Sequence, residues 1–139
     1  TIMRLAANTG AKLQLIEPLG FSLSDRKLKR AGMDYKERVD FYKYPDLNSC
    51  LTENSLEHTE KTTYLCTTKA TQHYDIPRYQ PGDTFVFGPE TRGLPDEVLN
   101  DCPDTQKIKI PMIKSGRSLN LATAVSIILY EAWRQNGFE

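Results

Sequence analysis

Short apolar runs alternate with helix-like stretches from one end of this chain to the other, and that alternation permits few architectures. Residues Thr1 to Gly10 read as a helix ended by glycine in the left-handed region, and Lys12 to Glu17 alternate polar and apolar up to Pro18 as a strand does. Ser24 or Asp25 would cap a basic helix running to about Ala31. Val39 to Tyr44 is a candidate strand, Asp46 to Asn54 a helix behind Pro45, and Thr62 to Thr67 a strand rich in β-branched and aromatic residues. Gln72 to Gly82, with two prolines, reads as loop. Thr84 to Phe87 is a strand, Pro95 to Asp101 a helix with proline in its first turn, Lys107 to Ile110 a strand, and Asn120 to Gln135 the longest helix. Strands separated by helices predict an α/β fold, a mostly parallel sheet with helices on both faces. A length of 139 residues fits one domain spanning 1–139.

Composition narrows the classes. Apolar residues at 39% and charged residues at 26% match a globular protein. No apolar run is long enough for a membrane span and no signal segment opens the chain, so a soluble, cytoplasmic protein is expected. Cys50, Cys66 and Cys102 are odd in number, far apart and without C-x-x-C spacing, which reads as reduced core thiols. With only His58 and His73 beside them, no metal site is expected. Net charge is zero, so contact with nucleic acid must use a local patch. Arg26, Lys27, Lys29 and Arg30 supply one, although a solvated helix face explains the same cluster.

In an open parallel sheet, ligands bind beyond the carboxyl ends of the strands. Those are the loops after Thr67, Phe87 and Ile110. Between Phe87 and Leu94 the chain carries two glycines, a proline and two charges. Gly88 would let a ligand approach the backbone, Pro89 stiffens the turn, and Gly93 permits a positive φ. Glu90 and Arg92 exceed the needs of a plain turn, yet they also fit a surface ion pair. After Ile110, residues Lys114, Ser115, Arg117, Ser118 and Asn120 lead into the last helix. Ser118 or Asn120 would cap that helix, and its free N–H groups suit an anion or nucleotide.

Taken together, FGPETRGLP (Phe87 to Pro95), KIKIPM (Lys107 to Met112) and the stretch from Ser115 to Gln135 closely resemble the second and third motifs of the SpoU methyltransferases, of the SPOUT class. The resemblance covers nearly the whole chain. ANTG (Ala7 to Gly10), LIEPLGF (Leu15 to Phe21), SDRKLKRAGMDY (Ser24 to Tyr35), TTK (Thr67 to Lys69) and YEAWRQ (Tyr130 to Gln135) are similar to the small members that 2′-O-methylate the wobble nucleotide of tRNA.

The resemblance implies a trefoil knot at the C-terminal end of the fold, an exception to ordinary chain topology. It also implies a pocket for S-adenosylmethionine at Cys66, Thr67, Thr68, Gly88, Glu90, Ile110, Met112, Ser118, Leu119 and Asn120. Arg4 occupies the place of the family's catalytic arginine, while the strand before it is expected to be missing from this sequence. The implied reaction is in-line attack of a ribose 2′-hydroxyl on the sulfonium methyl, with positioning dominant. Because a guanidinium stays protonated, Arg4 is assigned to phosphate orientation and alkoxide stabilisation, and the base is left unassigned. Arg26, Lys27, Lys29, Arg30, Arg92 and Arg117 become candidate tRNA contacts. The apolar last helix, Asn120 to Gln135, reads as buried on several sides, to which the resemblance adds a homodimer interface.

Two alternatives share the family's fold: a ribosomal RNA ribose 2′-O-methyltransferase, and a non-catalytic knotted RNA-binding protein. A nucleotide-dependent α/β enzyme is disfavoured, because neither G-x-x-x-x-G-K-[ST] nor G-x-G-x-x-G occurs.

Overall fold

The computed structural model describes residues 1–16, 41–57, 60–89 and 92–139. The expected basic helix from Ser24 or Asp25 to Ala31, with Arg26, Lys27, Lys29 and Arg30, lies outside the described residues, as does Glu90. The chain divides into two compact units, Thr1–Thr59 and Glu60–Glu139.

In the first unit, helix α1 spans Ile2–Thr9 and buries Met3 and Ala6, three positions apart on one face. It stops at Gly10, whose φ of 75° and ψ of 11° are the left-handed geometry expected there. Strand β1, Leu13–Ile16, pairs in parallel with β2, Phe41–Tyr44, in a register that sets Leu13 opposite Phe41 and Ile16 opposite Tyr44. Asp46 starts helix α2, Leu47–Glu57: the Ser49 N–H donates to its Oδ1 at 2.7 Å, and that hydrogen bond holds the Asp46 carboxyl below its ordinary value. The helix runs past Asn54, where it was expected to end, because no glycine or proline stops it. Buried Cys50 donates its thiol to Gln14 Oε1 at 2.9 Å and so fastens α2 to β1.

The second unit is built on three parallel strands in the order β4, β3, β5, where β3 is Thr63–Cys66, β4 Thr84–Phe87 and β5 Lys107–Ile108. Alternate side chains leave opposite faces. Tyr64, Cys66, Phe85 and Phe87 join Tyr79, Ile108 and Ile128 in one cluster, while Leu65 and Val86 join Leu94 and Leu99 in another. Ile128 belongs to helix α4, Leu121–Gln135, and Leu99 to helix α3, Asp96–Asn100, so helices cover both faces of this sheet. The rings of Tyr64, Tyr79 and Phe85 lock the first cluster, with centroids 5.0 to 5.8 Å apart.

Two expectations change. Pro95 is the residue that caps α3 instead of its first helical residue, its ψ of 145° being extended. Helix α4 is not buried on several sides: Ile128 alone is fully buried, and Tyr130 is 38% exposed. A helix laid on one sheet face covers one stripe, and the apolar residues outside that stripe stay partly open.

Candidate functional site

The parallel register decides where a site can form. Cys66 stands opposite both Phe87 and Ile108, so the three strands finish abreast and their outgoing loops begin side by side. The Thr67 N–H donates to the Ile108 carbonyl at 2.9 Å and is the last rung before β3 turns away. That turn closes on itself: the Ala70 N–H donates to the Thr67 carbonyl at 3.2 Å and the Lys69 N–H to Thr67 Oγ1 at 3.1 Å. The chain then returns to β5. Lys109 N–H donates to the Gln72 carbonyl and Tyr74 N–H to the Lys109 carbonyl, both at 2.9 Å, so His73 forms a parallel bridge with Lys109. The segment expected as plain loop from Gln72 thus begins with paired backbone, and Thr67 to Thr71 is an excursion from the sheet between two anchored stretches.

The second loop is a self-contained turn. Arg92 N–H and Gly93 N–H both donate to the Pro89 carbonyl, at 3.3 and 2.8 Å, and Gly93 has a φ of 69° as its position required. Gly88 has a different reason from the one expected of it. A Cβ there would sit 2.3 Å from the Gly93 carbonyl carbon and 2.4 Å from the Leu94 nitrogen, so close packing against the backbone of Gly93 and Leu94 already requires glycine at 88. Leu94, buried against Leu65 and Leu99, pins the far end of the turn.

In the third loop Ile110 packs against the aromatic cluster, and residues 111–120 are exposed. The Gly116 N–H donates to the Ile113 carbonyl at 2.9 Å, folding the middle of the loop into a turn. Of the two candidate caps for α4 the structure selects Asn120, whose Oδ1 accepts from the Thr123 N–H at 2.8 Å. Met112 and Leu119 are 42% and 40% exposed, leaving apolar surface beside polar Ser118.

Charge and protonation are simple here. Lys69 Nζ lies 2.7 Å from Asp96 Oδ1 and joins the first loop to α3, with both side chains mostly in solvent. That hydrogen bond holds the Asp96 carboxyl below its ordinary value, and an exposed pair of this kind contributes little stability. Burial pushes the Cys66 thiol far up, so it acts as packing and not as a nucleophile. Among the described residues no cluster of histidine, cysteine and carboxylate side chains suits a metal.

Of the expected site residues, the fold brings Cys66, Thr67, Thr68, Gly88 and Ile110 to adjacent strand ends. Met112, Ser118, Leu119, Asn120 and Arg117 lie on the exposed loop that follows, Arg92 is exposed in the second turn, and Arg4 is exposed on α1 of the first unit. Sequence reading passed over Tyr79 and Gln135, which tie the segment after β3 to the end of α4. The Tyr79 N–H donates to Gln135 Oε1 at 2.9 Å. Gln135 closes the YEAWRQ motif, while Tyr79 carried no signal.

The sequence profile of the SpoU rRNA Methylase family matches residues 1–130. This chain belongs to that family. Among SpoU relatives, it is 47% identical to the tRNA (cytidine(34)-2′-O)-methyltransferase of Yersinia pestis over 138 residues, which is 99% of this chain and 85% of that protein. It is 46% identical to the enzyme of the same name from Escherichia coli K12, with the same coverage. A solved structure concerned with the 2-OH methylation of C/U34 on tRNA superposes with a TM-score of 0.87 at 40% identity, over 99% of this chain and 87% of that one. The α/β architecture with parallel strands is thus that of the SpoU methyltransferases.

Proposed function

We propose that this chain transfers a methyl group from S-adenosylmethionine to a ribose 2′-hydroxyl of tRNA, at the wobble nucleotide of the anticodon. The observation that carries the reading is identity of 46 to 47% across 99% of the chain to enzymes named for that reaction. The strand ends agree with it. Three loops leave one sheet edge together, and Met112 and Leu119 present uncovered apolar surface next to hydroxyl and backbone groups, the mixture that an adenosine moiety needs.

Cys66, Thr67, Thr68, Gly88, Glu90, Ile110, Met112, Ser118, Leu119 and Asn120 would hold the donor. S-adenosylmethionine supplies the activated methyl group on its sulfonium. The close packing of Gly88 against Gly93 and Leu94 supports this end of the site as a preformed wall. Arg4 orients the acceptor phosphate and stabilises charge developing on the ribose oxygen. Arg26, Lys27, Lys29, Arg30, Arg92 and Arg117 contact the tRNA backbone, so binding weakens with salt.

Residues 1–139 act as one methyltransferase domain whose C-terminal loop and α4 form a trefoil knot. Two copies pair through Asn120 to Gln135; Tyr130, an aromatic residue 38% exposed on that helix, supports a further surface packing there. No helix among the described residues is long and apolar enough to cross a membrane, and the work is assigned to the cytoplasm, where tRNA is modified. The test is methyl transfer from labelled S-adenosylmethionine to unmodified tRNA and, in parallel, to ribosomal RNA. Label in tRNA is expected. Label in ribosomal RNA alone, or in neither, contradicts the proposal.

A further inference from the structure

Two side chains at the end of α4, Gln135 and Asn136, grip a backbone segment far from them in sequence, and two more hold Gln135 in place. Gln135 Oε1 accepts from the Tyr79 N–H at 2.9 Å, and its Nε2 donates to the Pro77 carbonyl at 3.1 Å. The amide thereby reads residues 77 and 79 as a neighbouring strand would, and Pro77, which has no N–H, needs no acceptor in return. Asn136 Nδ2 adds a bond to the Tyr79 carbonyl at 3.2 Å. Gln135 is itself aimed by Glu131, whose Oε2 accepts from Nε2 at 2.8 Å, and Glu131 is held by two bonds from Arg134.

From this clasp a continuous path leads to the strand ends. Tyr79 is 2% exposed, and its hydroxyl donates to the Tyr74 carbonyl. Tyr74 in turn donates its N–H to Lys109, and Lys109 donates to Gln72, directly before Ile110 and directly after the Thr67 turn. Tyr79, Cys66 and Ile110 share one packed cluster.

We infer that Gln135 is a positioning residue for the methyl-donor pocket: by fixing Pro77 to Tyr79 it holds Cys66 and the start of the 110–120 loop where the donor needs them. This rests on the methyl-transfer reading above. Packed interiors shift between discrete arrangements, so loosening one anchor displaces its neighbours instead of stretching smoothly.

The test measures binding of S-adenosylhomocysteine by calorimetry, and KM and kcat for methylation of tRNA, in the whole protein and two variants. Gln135→Ala is expected to weaken binding on the order of tenfold and to raise the KM for S-adenosylmethionine with a smaller change in kcat. Tyr79→Phe keeps the ring packing and removes one bond of the path, so a weakening in the same direction is expected even if Gln135→Ala folds poorly. Gln135→Glu can still accept from Tyr79 but donates to Pro77 only when protonated. Its binding is therefore expected to recover toward the wild-type value as pH is lowered, by more than any change in the wild type over the same range. Wild-type binding in all three variants overturns the role of Gln135. A wild-type protein that binds no S-adenosylhomocysteine overturns the methyl-transfer reading first, and the role of Gln135 with it.

Discussion

Gly88 and Gly93 close the turn between them so tightly that a Cβ on Gly88 would lie 2.3 Å from the Gly93 carbonyl carbon. The two glycines therefore serve different ends. Gly88→Ala drives side chain into backbone, where no rotamer change gives relief, and is expected to cost about 3 kcal/mol or more. Gly93→Ala meets nothing within 4 Å and suffers only from its φ of 69°, a cost of about 1–2 kcal/mol. Urea midpoints of the two variants check the order; equal losses would contradict it. Donor binding should fall with Gly88→Ala and persist with Gly93→Asn, since asparagine tolerates that φ.

Asn120 alone caps α4 among the two candidates in the loop. Asn120→Ala is expected to lose about 1 kcal/mol of stability, whereas Asn120→Asp retains the acceptor and most of the stability. Ser118→Ala should leave stability unchanged. Thermal melts of the three variants decide it, and a destabilised Ser118→Ala would show that the cap had been misassigned.

Glu131 is held below its ordinary carboxylate value, chiefly by the Arg134 hydrogen bond. A lowered folded value means that this contribution is complete above the ordinary carboxylate range and is lost as pH falls through the lowered one. Arg134→Ala should raise the Glu131 value toward the ordinary one, which lowers stability above the carboxylate range and flattens the acid limb of the stability curve. Carboxyl titration by NMR in both proteins measures the shift, and an unchanged Glu131 would contradict the assignment.

Much of this was legible because parallel strands advertise themselves. The β-branched and aromatic residues of Thr63–Cys66 and Thr84–Phe87 gave both strands to within a residue, and Gly10, Gly93 and Asn120 carry chemistry that suits one local geometry each. The site emerged from order: three unusual loops after three strands must share an edge once the register aligns Cys66 with Phe87 and Ile108. Other features have no local signature. That Gly88 packs against Gly93 and Leu94 depends on how residues five and six positions apart fold together. The grip of Gln135 on Pro77 and Tyr79 spans 58 and 56 positions, and a glutamine at a helix end does not reveal whose backbone it will meet. The openness of α4 was likewise hidden, since an apolar helix reads alike whether its second face meets the same chain or another.

Arg4 is exposed on α1, away from that helix's buried Met3 and Ala6. If it stabilises charge on the ribose oxygen, Arg4→Ala should lower kcat about a hundredfold or more while S-adenosylhomocysteine binding stays near wild type. Single-turnover methylation and calorimetry separate the two quantities. Normal methylation in the variant would remove Arg4 from the chemistry.

The central claim, methyl transfer to the wobble ribose of tRNA, is tested most directly by locating the methyl group. Unmodified tRNA is treated with the protein and S-adenosylmethionine, digested, and read by mass spectrometry for the modified nucleotide. The account predicts a single 2′-O-methylated ribose at the first anticodon position. A methyl on a base, on a ribose elsewhere in the tRNA, or on ribosomal RNA alone would contradict it.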